Sequence, residues 1–192
     1  MDLPVVGFPN QRKWSTWLGS NHARLNGVWL KIGKKSSMAS SVTYPESVEA
    51  ALCYGWIDGQ KKGWDEFFWI QRFTPRRPRS IWSRANRETA KRLMAEGRMK
   101  AAGNRAVEEA KRNGRWDAAY ASQRTIAVPR DILLQLKKKR KASSFFEKLD
   151  RANRYSILFR IEQAKRPELR TQKIQRFIAM LEEGKKLHPT RS

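Results

Sequence analysis

The sequence predicts an α+β protein: a small mixed sheet with flanking helices in its N-terminal part, followed by an all-helical C-terminal region. Three observations point there. Residues 27–33 (GVWLKIG) alternate at strand period between two glycines. Thr43-Tyr44-Pro45-Glu46 is a capping box with proline in the first helical turn. All eight tryptophans fall in the first 116 residues, whereas the last third carries aliphatic and Phe stripes at helical spacing. The expected division is a Trp-rich α+β domain over residues 1–122 and a helical domain over 126–187, with residues 121–125 as linker.

Trp14, Trp17 and Leu18 fall at i, i+3 and i+4, one face of a short first helix. In residues 27–33, Val28, Leu30 and Ile32 point one way and Trp29 and Lys31 the other, a half-buried strand. Residues 34–41 read as a polar loop. The helix opened by the capping box sets Val48, Ala51 and Leu52 on one face and stops at Gly55. Residues 56–58 follow as a short strand and residues 59–63 (GQKKG) as a turn. Residues 64–74 (WDEFFWIQRFT), aromatic on both faces, read as a buried strand returning beside it.

Pro75-Arg76-Arg77-Pro78-Arg79 breaks regular structure. Ser83 or Asn86 caps a helix that runs to Gly97, with Ala90, Leu93 and Met94 as its apolar stripe and Arg84, Arg87 and Lys91 on another face. Residues 102–113 form a further helix, stopped by Gly114. Helices are expected over 131–135, 143–150, 153–165 and 168–183, with Pro167 separating the last two. Ile174, Phe177, Ile178 and Leu181 make the stripe of the final one.

Lysine and arginine number 41 against 18 aspartate and glutamate, a net charge of +23 on 192 residues. A folded body with that excess attracts polyanions over several kT. The expected partner is nucleic acid or another polyanion; anionic lipid or an acidic protein is the further reading. The single cysteine, Cys53, excludes an internal disulfide. The two histidines, His22 and His188, stand too far apart in sequence for a zinc site of the usual kind. No metal and no cofactor is expected. No run approaches the roughly 18 apolar residues of a membrane span. The opening residues (MDLPVVGFPNQRKW) lack the basic and apolar regions of a signal peptide. The expected location is therefore cytoplasmic, or nuclear in a eukaryotic host. The oligomeric state is left open.

Two stretches carry the expected anion-binding residues. Residues 71–86 (QRFTPRRPRSIWSRAN) hold Arg72, Arg76, Arg77, Arg79 and Arg84 with no acid among them, and with Phe73 and Trp82 interleaved. Guanidinium forks pair bidentately with phosphate, and an exposed Trp stacks a base for about 1–3 kcal/mol. The alternative is a solvated basic loop whose Trp packs into the core. Residues 136–141 (LKKKRK) add Lys137, Lys138, Lys139 and Arg140. They read as a polyanion or nuclear-import signal, or as the exposed end of a helix where cations complement the dipole.

The alternative, an enzyme or small-ligand binder, gathers Trp56, Asp58, Arg72 and Trp82 into a pocket for an anionic or aromatic molecule. Asp58 has no His, Ser or second carboxylate nearby in sequence, a weak pattern for catalysis. It is expected to cap a turn or pair with a cation, Arg72 on the partner strand being the nearest. Cys53 reads as core rather than nucleophile, and His22 as a surface or cap residue. Lys34-Lys35 lacks the glycine spacing of a phosphate loop. No catalytic residue is expected.

Several segments together resemble a known family: residues 51–60 (ALCYGWIDGQ), residues 71–86, residues 96–103 (EGRMKAAG), residues 114–120 (GRWDAAY) and residues 164–177 (AKRPELRTQKIQRF). In this order they look like the YdeI/OmpD-associated proteins, the bacteriocin-protection family. The resemblance implies an N-terminal α+β part followed by a helical OmpD-associated region, and a stress-related role. It supplies no catalytic residue. Where descriptions of the family place members in the periplasm, the opening residues of this chain lead to the cytoplasmic expectation instead.

Overall fold

One mixed sheet organises the first of two compact units, Met1–Ala119 and Tyr120–Ser192. The computed structural model describes residues 3–36, 39–123 and 125–188, so Ser37 and Met38 of the expected polar loop and Arg124 of the expected linker lie outside it. The strands β1 (Val5–Gly7), β2 (Val28–Gly33), β3 (Trp56–Gly63) and β4 (Phe68–Pro75) lie in the order β1-β2-β4-β3. β1 runs parallel to β2, and the other two pairs are antiparallel. Helices α1 (Gln11–Asn21), α2 (Tyr44–Cys53), α3 (Arg84–Ala95) and α4 (Ala101–Arg112) complete the unit. The fold is α+β, as the sequence predicts.

Local chemistry explains where these elements begin. The Asn10 side chain accepts from Lys13 N at the start of α1, and Ser83 accepts from Asn86 N at the start of α3. Thr43 and Glu46 form the expected capping box on α2. Those hydrogen bonds, first the one from the Thr43 backbone, hold the Glu46 carboxyl below the usual range.

The alternation of β2 divides the sheet into two faces. Val28, Leu30 and Ile32, with Phe73 and Trp56, bury against Trp14 and Leu18 of α1 and Ala50 and Ala51 of α2. A second core joins Leu52 and Cys53 of α2 to Ala90 and Leu93 of α3, Val107 and Ala110 of α4, and Trp82 and Trp116.

The β3–β4 hairpin departs from the sequence expectation. Residues 59–63, read as a turn, continue β3, and the chain reverses at residues 64–67. Asp65 makes that turn by accepting from Phe67 N at 2.8 Å and Phe68 N at 2.7 Å. Trp64 is 47% exposed and Phe67 51%, so these aromatics lie outside the core. The register passes from Asp58 opposite Phe73 to Lys61 opposite Gln71, which leaves one extra residue on β3: a bulge. Gln71, 3% exposed, satisfies the bulge carbonyls, its Nε2 donating to Gly59 O at 2.8 Å and Gln60 O at 3.2 Å. The three-residue strand β1 has no counterpart in the sequence expectation.

The second unit contains α5 (Arg130–Lys138), α6 (Arg140–Lys148), α7 (Arg151–Glu162) and α8 (Pro167–Glu182). Ile174, Phe177, Ile178 and Leu181 of α8 pack with Ile132, Leu136, Phe146, Ile157, Leu158 and Ile161 in one core. Pro167 sits in the first turn of α8, where its missing N–H costs nothing. Arg170 clasps Asp131 with two hydrogen bonds, Nε to Oδ2 at 2.6 Å and Nη2 to Oδ1 at 3.0 Å.

That clasp makes a pH prediction. The Arg170 guanidinium, first through its hydrogen bond, holds the Asp131 carboxyl below its usual value. A carboxyl depressed in the folded state contributes stability above its unfolded pKa, near about 4, and that contribution disappears as pH falls through the folded value. Asp131→Asn is therefore expected to melt lower than the parent at pH 7, with the difference closing at low pH. The 45% exposure of the Asp131 side chain keeps the effect small. Thermal melts from about pH 7 to pH 2.5 check it, and parallel curves for the two proteins would refute it.

Candidate polyanion-binding site

Beyond Pro75 the arginine-rich segment leaves the sheet in a defined shape. Arg76 N donates to Gly55 O at 2.9 Å, which anchors the segment to the start of β3. Arg77 N donates to Ser80 Oγ at 2.9 Å and Ser80 N donates back to Arg77 O at 2.8 Å, closing a turn around Pro78. Arg77 and Arg79 are exposed on that turn. Among the described residues neither forms an ion pair, and neither do Arg72 on β4 and Arg105 on α4.

Five carboxylates of this unit are engaged in ion pairs. Glu49 and Glu96 neutralise Arg92 and Arg98, Glu88 holds Arg87 and Lys91, Glu108 holds Lys111, and Glu109 pairs with Arg112. Glu108 and Glu109 line the same groove as Arg77 but pair with Lys111 and Arg112, so among the described residues Arg77 and Arg79 have no ion pair of their own. Guanidinium forks left without an ion pair can meet phosphate oxygens bidentately.

Not every expected residue is available there. Trp82 is only 3% exposed. The Arg76 guanidinium lies 3.6 Å from the centre of its ring, and Trp116 meets it edge to face at 5.0 Å. The ring is not presented to a base, so the stacking expectation for Trp82 is corrected to the core alternative. Phe73 is fully buried as well. Arg84 Nε donates to Ala119 O at 3.3 Å and Arg87 Nη1 to Trp116 O at 3.3 Å, so both help to hold residues 116–119 in place.

The alternative pocket is not assembled as a set. Trp56 and Trp82 line a groove of about 790 Å³ together with Tyr54, Arg76, Arg77 and Arg105. Asp58 and Arg72 stand elsewhere. Asp58 lies opposite Phe73 on the helix-covered face, where it accepts from Tyr44 Oη at 2.7 Å. Arg72 lies opposite Trp29 on the other face. The partner of Asp58 is therefore a hydroxyl and not the expected cation. Cys53 is buried at 6% exposure, and burial pushes its thiol up, away from the reactive thiolate.

In the second unit, Lys137 and Lys138 close α5, Lys139 joins the helices, and Arg140 opens α6. All four are exposed. Lys139 reaches Glu182 at 3.3 Å. The run is a helix junction rather than one helix end. Its first half complements the α5 dipole, while Arg140 and Lys141 oppose that of α6.

The outward face of the sheet was missed by sequence reasoning. Trp29 and Lys31 of β2, Phe68, Ile70 and Arg72 of β4 and Lys62 of β3 lie there by register. Lys62 Nζ sits 4.7 Å from the centre of the Trp29 ring, and Lys31 Nζ 4.9 Å from that of Trp64. The alternation of Trp29 and Lys31 against Val28 and Leu30 was the available signal. Among the described residues no group of three or more His, Cys, Asp and Glu is placed to hold a metal ion, and no helix is long and apolar enough to cross a membrane.

Residues 6–106 match a family described as a domain of unknown function (DUF8412). Residues 125–184 match the family described as bacteriocin-protection, YdeI or OmpD-associated. Of the segments that carry the resemblance, those at 51–60, 71–86 and 96–103 fall in the first match and that at 164–177 in the second. Residues 114–120 fall in neither. No curated protein and no solved structure matches the chain.

Proposed function

We propose, for a chain that belongs to the DUF8412 family through residues 6–106 and to the bacteriocin-protection, YdeI or OmpD-associated family through residues 125–184, that it is a cytoplasmic, stress-related, non-enzymatic protein that binds nucleic acid through phosphate contacts with little sequence preference. The observation that carries this reading is the closed Arg77–Ser80 turn. It holds Arg77 and Arg79 exposed and, among the described residues, without ion pairs, while Lys111 and Arg112 pair with Glu108 and Glu109. Phosphate contacts of this kind fix position without reading bases. The net charge of +23 supplies the long-range attraction.

Titrating a fluorescently labelled duplex of about 30 base pairs between about 50 and 200 mM salt tests it. Each phosphate neutralised contributes about 0.9 to the slope of log affinity against log salt. Arg77→Gln with Arg79→Gln is expected to weaken binding at every salt and to reduce that slope by about two. Absence of binding at about 50 mM, or binding indifferent to salt, refutes the reading.

A second reading is favoured by the groove, whose size and whose Arg76–Trp82 contact suit an anionic or aromatic small molecule. Mass spectrometry of what remains bound after a high-salt and nuclease wash separates the two.

A further inference from the structure

The geometry points to the outward face of the sheet as a stacking platform for single-stranded nucleic acid. This rests on the nucleic-acid reading above and narrows it from phosphate contacts to unpaired bases.

The face follows from register. Helices α1 and α2 cover the side built by Val28, Leu30, Ile32 and Phe73. Residues between them in sequence must point the other way. Trp29 stands opposite Arg72, and Lys31 opposite Ile70. β1 adds Val5 beside Trp29, and β3 adds Lys62 beside Ile70. Trp29 and Phe68, both half-buried, belong to neither core of this unit, and Ile70, 5% exposed, lies buried between the outward side chains. None of the outward positions of the four strands carries a carboxylate.

The rings and cations are arranged as a strand of nucleic acid needs them. Lys62 and Lys31 hold their ammonium groups over the faces of Trp29 and Trp64, the positions a base takes when it stacks. Both sit on flexible four-carbon stems, so each can swing aside to a phosphate while a base replaces it over the ring. Arg72 lies across from Trp29 with its Nε buried and unpartnered. The same strand then leads through Pro75 to the Arg77–Ser80 turn, so stacking rings and phosphate-binding arginines follow one strand direction.

The occupant is single-stranded because stacking requires an open π-face. Paired bases in a duplex do not offer one, and a broad sheet face does not enter its grooves. The hairpin tip argues against a lipid surface: seating the exposed Trp64 and Phe67 in a bilayer would carry Asp65 and Glu66 toward its apolar interior, whereas stacking a base leaves both carboxylates in water.

The test compares three labelled probes of equal length, about 12 units, at about 100 mM salt: a mixed-sequence single strand, its abasic counterpart and a duplex. Stacking predicts that the single strand binds about tenfold or more tighter than the abasic chain, and that it alone quenches tryptophan fluorescence. Trp29→Ala and Trp64→Ala are each expected to remove most of that difference while leaving abasic binding unchanged. Trp64 is exposed, so its variant keeps the fold if Trp29→Ala does not. Equal binding of all three probes, or Trp variants that leave the difference intact, overturns the platform and leaves the polyanion reading standing. No binding of any probe at about 50 mM salt overturns both. Tighter binding to phosphatidylserine vesicles than to the single strand also overturns it and assigns the face to lipid.

Discussion

Trp14→Ala is expected to lower the stability of the N-terminal unit by about 3–5 kcal/mol, the range for emptying a buried aromatic site. Trp14 is 0% exposed at the centre of the core between α1, α2 and the sheet. Its ring stacks on Trp17 at 5.3 Å and touches Phe8 at 5.4 Å and Phe73 at 5.7 Å. Its indole N–H donates to the Ser47 carbonyl at 3.1 Å, a buried bond that ties α1 to α2. Alanine removes the packing, opens a cavity and leaves that carbonyl without its side-chain donor. Trp14→Phe separates the terms, since it restores most of the volume and not the hydrogen bond; about 1–3 kcal/mol of loss should remain. Urea denaturation of the parent and both variants measures this. A loss below about 1 kcal/mol for the alanine variant refutes the packing account. The effect reaches the proposed platform, because Val28 and Leu30 of β2 lie against this core while Trp29 and Lys31 between them point to the other face.

Sequence patterns were informative wherever the cause is local. The Thr43–Glu46 capping box, the alternation of β2, the stops at Gly55 and Gly114 and the stripe of α8 each depend on residues within a turn or two, and each is present. The β3–β4 hairpin was misread because GQKKG has no strand propensity of its own. Pairing to β4 supplies the backbone partners, and outward exposure tolerates the lysines. Asp65, not the glycines, makes the turn.

The site was less legible because it depends on register and burial. One bulge between Asp58 and Lys61 changes which β3 residues face which side. Neither the separation of Asp58 from Arg72 nor the burial of Trp82 under Arg76 and beside Trp116 is encoded within a short window. Trp29 and Lys31 were correctly assigned to the face away from Val28 and Leu30. Only the placement of α1 and α2 shows which of the two faces they bury.

Gly103→Ala is the other large effect, and its sign is diagnostic. On helix propensity alone, alanine inside α4 should stabilise by about 1 kcal/mol. The structure predicts the opposite. A Cβ at Gly103 would stand 2.4 Å from the Cys53 carbonyl oxygen, 2.7 Å from that of Leu52 and 2.8 Å from Met99 Cε. The first two are backbone atoms, which cannot rotate away, so α4 must move off the end of α2. That movement weakens the bond from Lys100 N to Cys53 O, now 3.1 Å. It also disturbs the groove wall, where Gly55 is packed so closely that a Cβ there would meet Ala102 O at 2.8 Å. Overpacking of this kind costs about 1–3 kcal/mol, and rigid contacts put this site at the upper end, about 3 kcal/mol. Gly97→Ala provides the contrast: nothing lies within 4 Å of its Cβ, and only its φ of +66° opposes the change. That variant should lose about 1 kcal/mol, the lower bound for left-handed backbone. Chemical denaturation of both variants ranks them, and a Gly103→Ala protein more stable than its parent would show that α2 and α4 do not approach this closely.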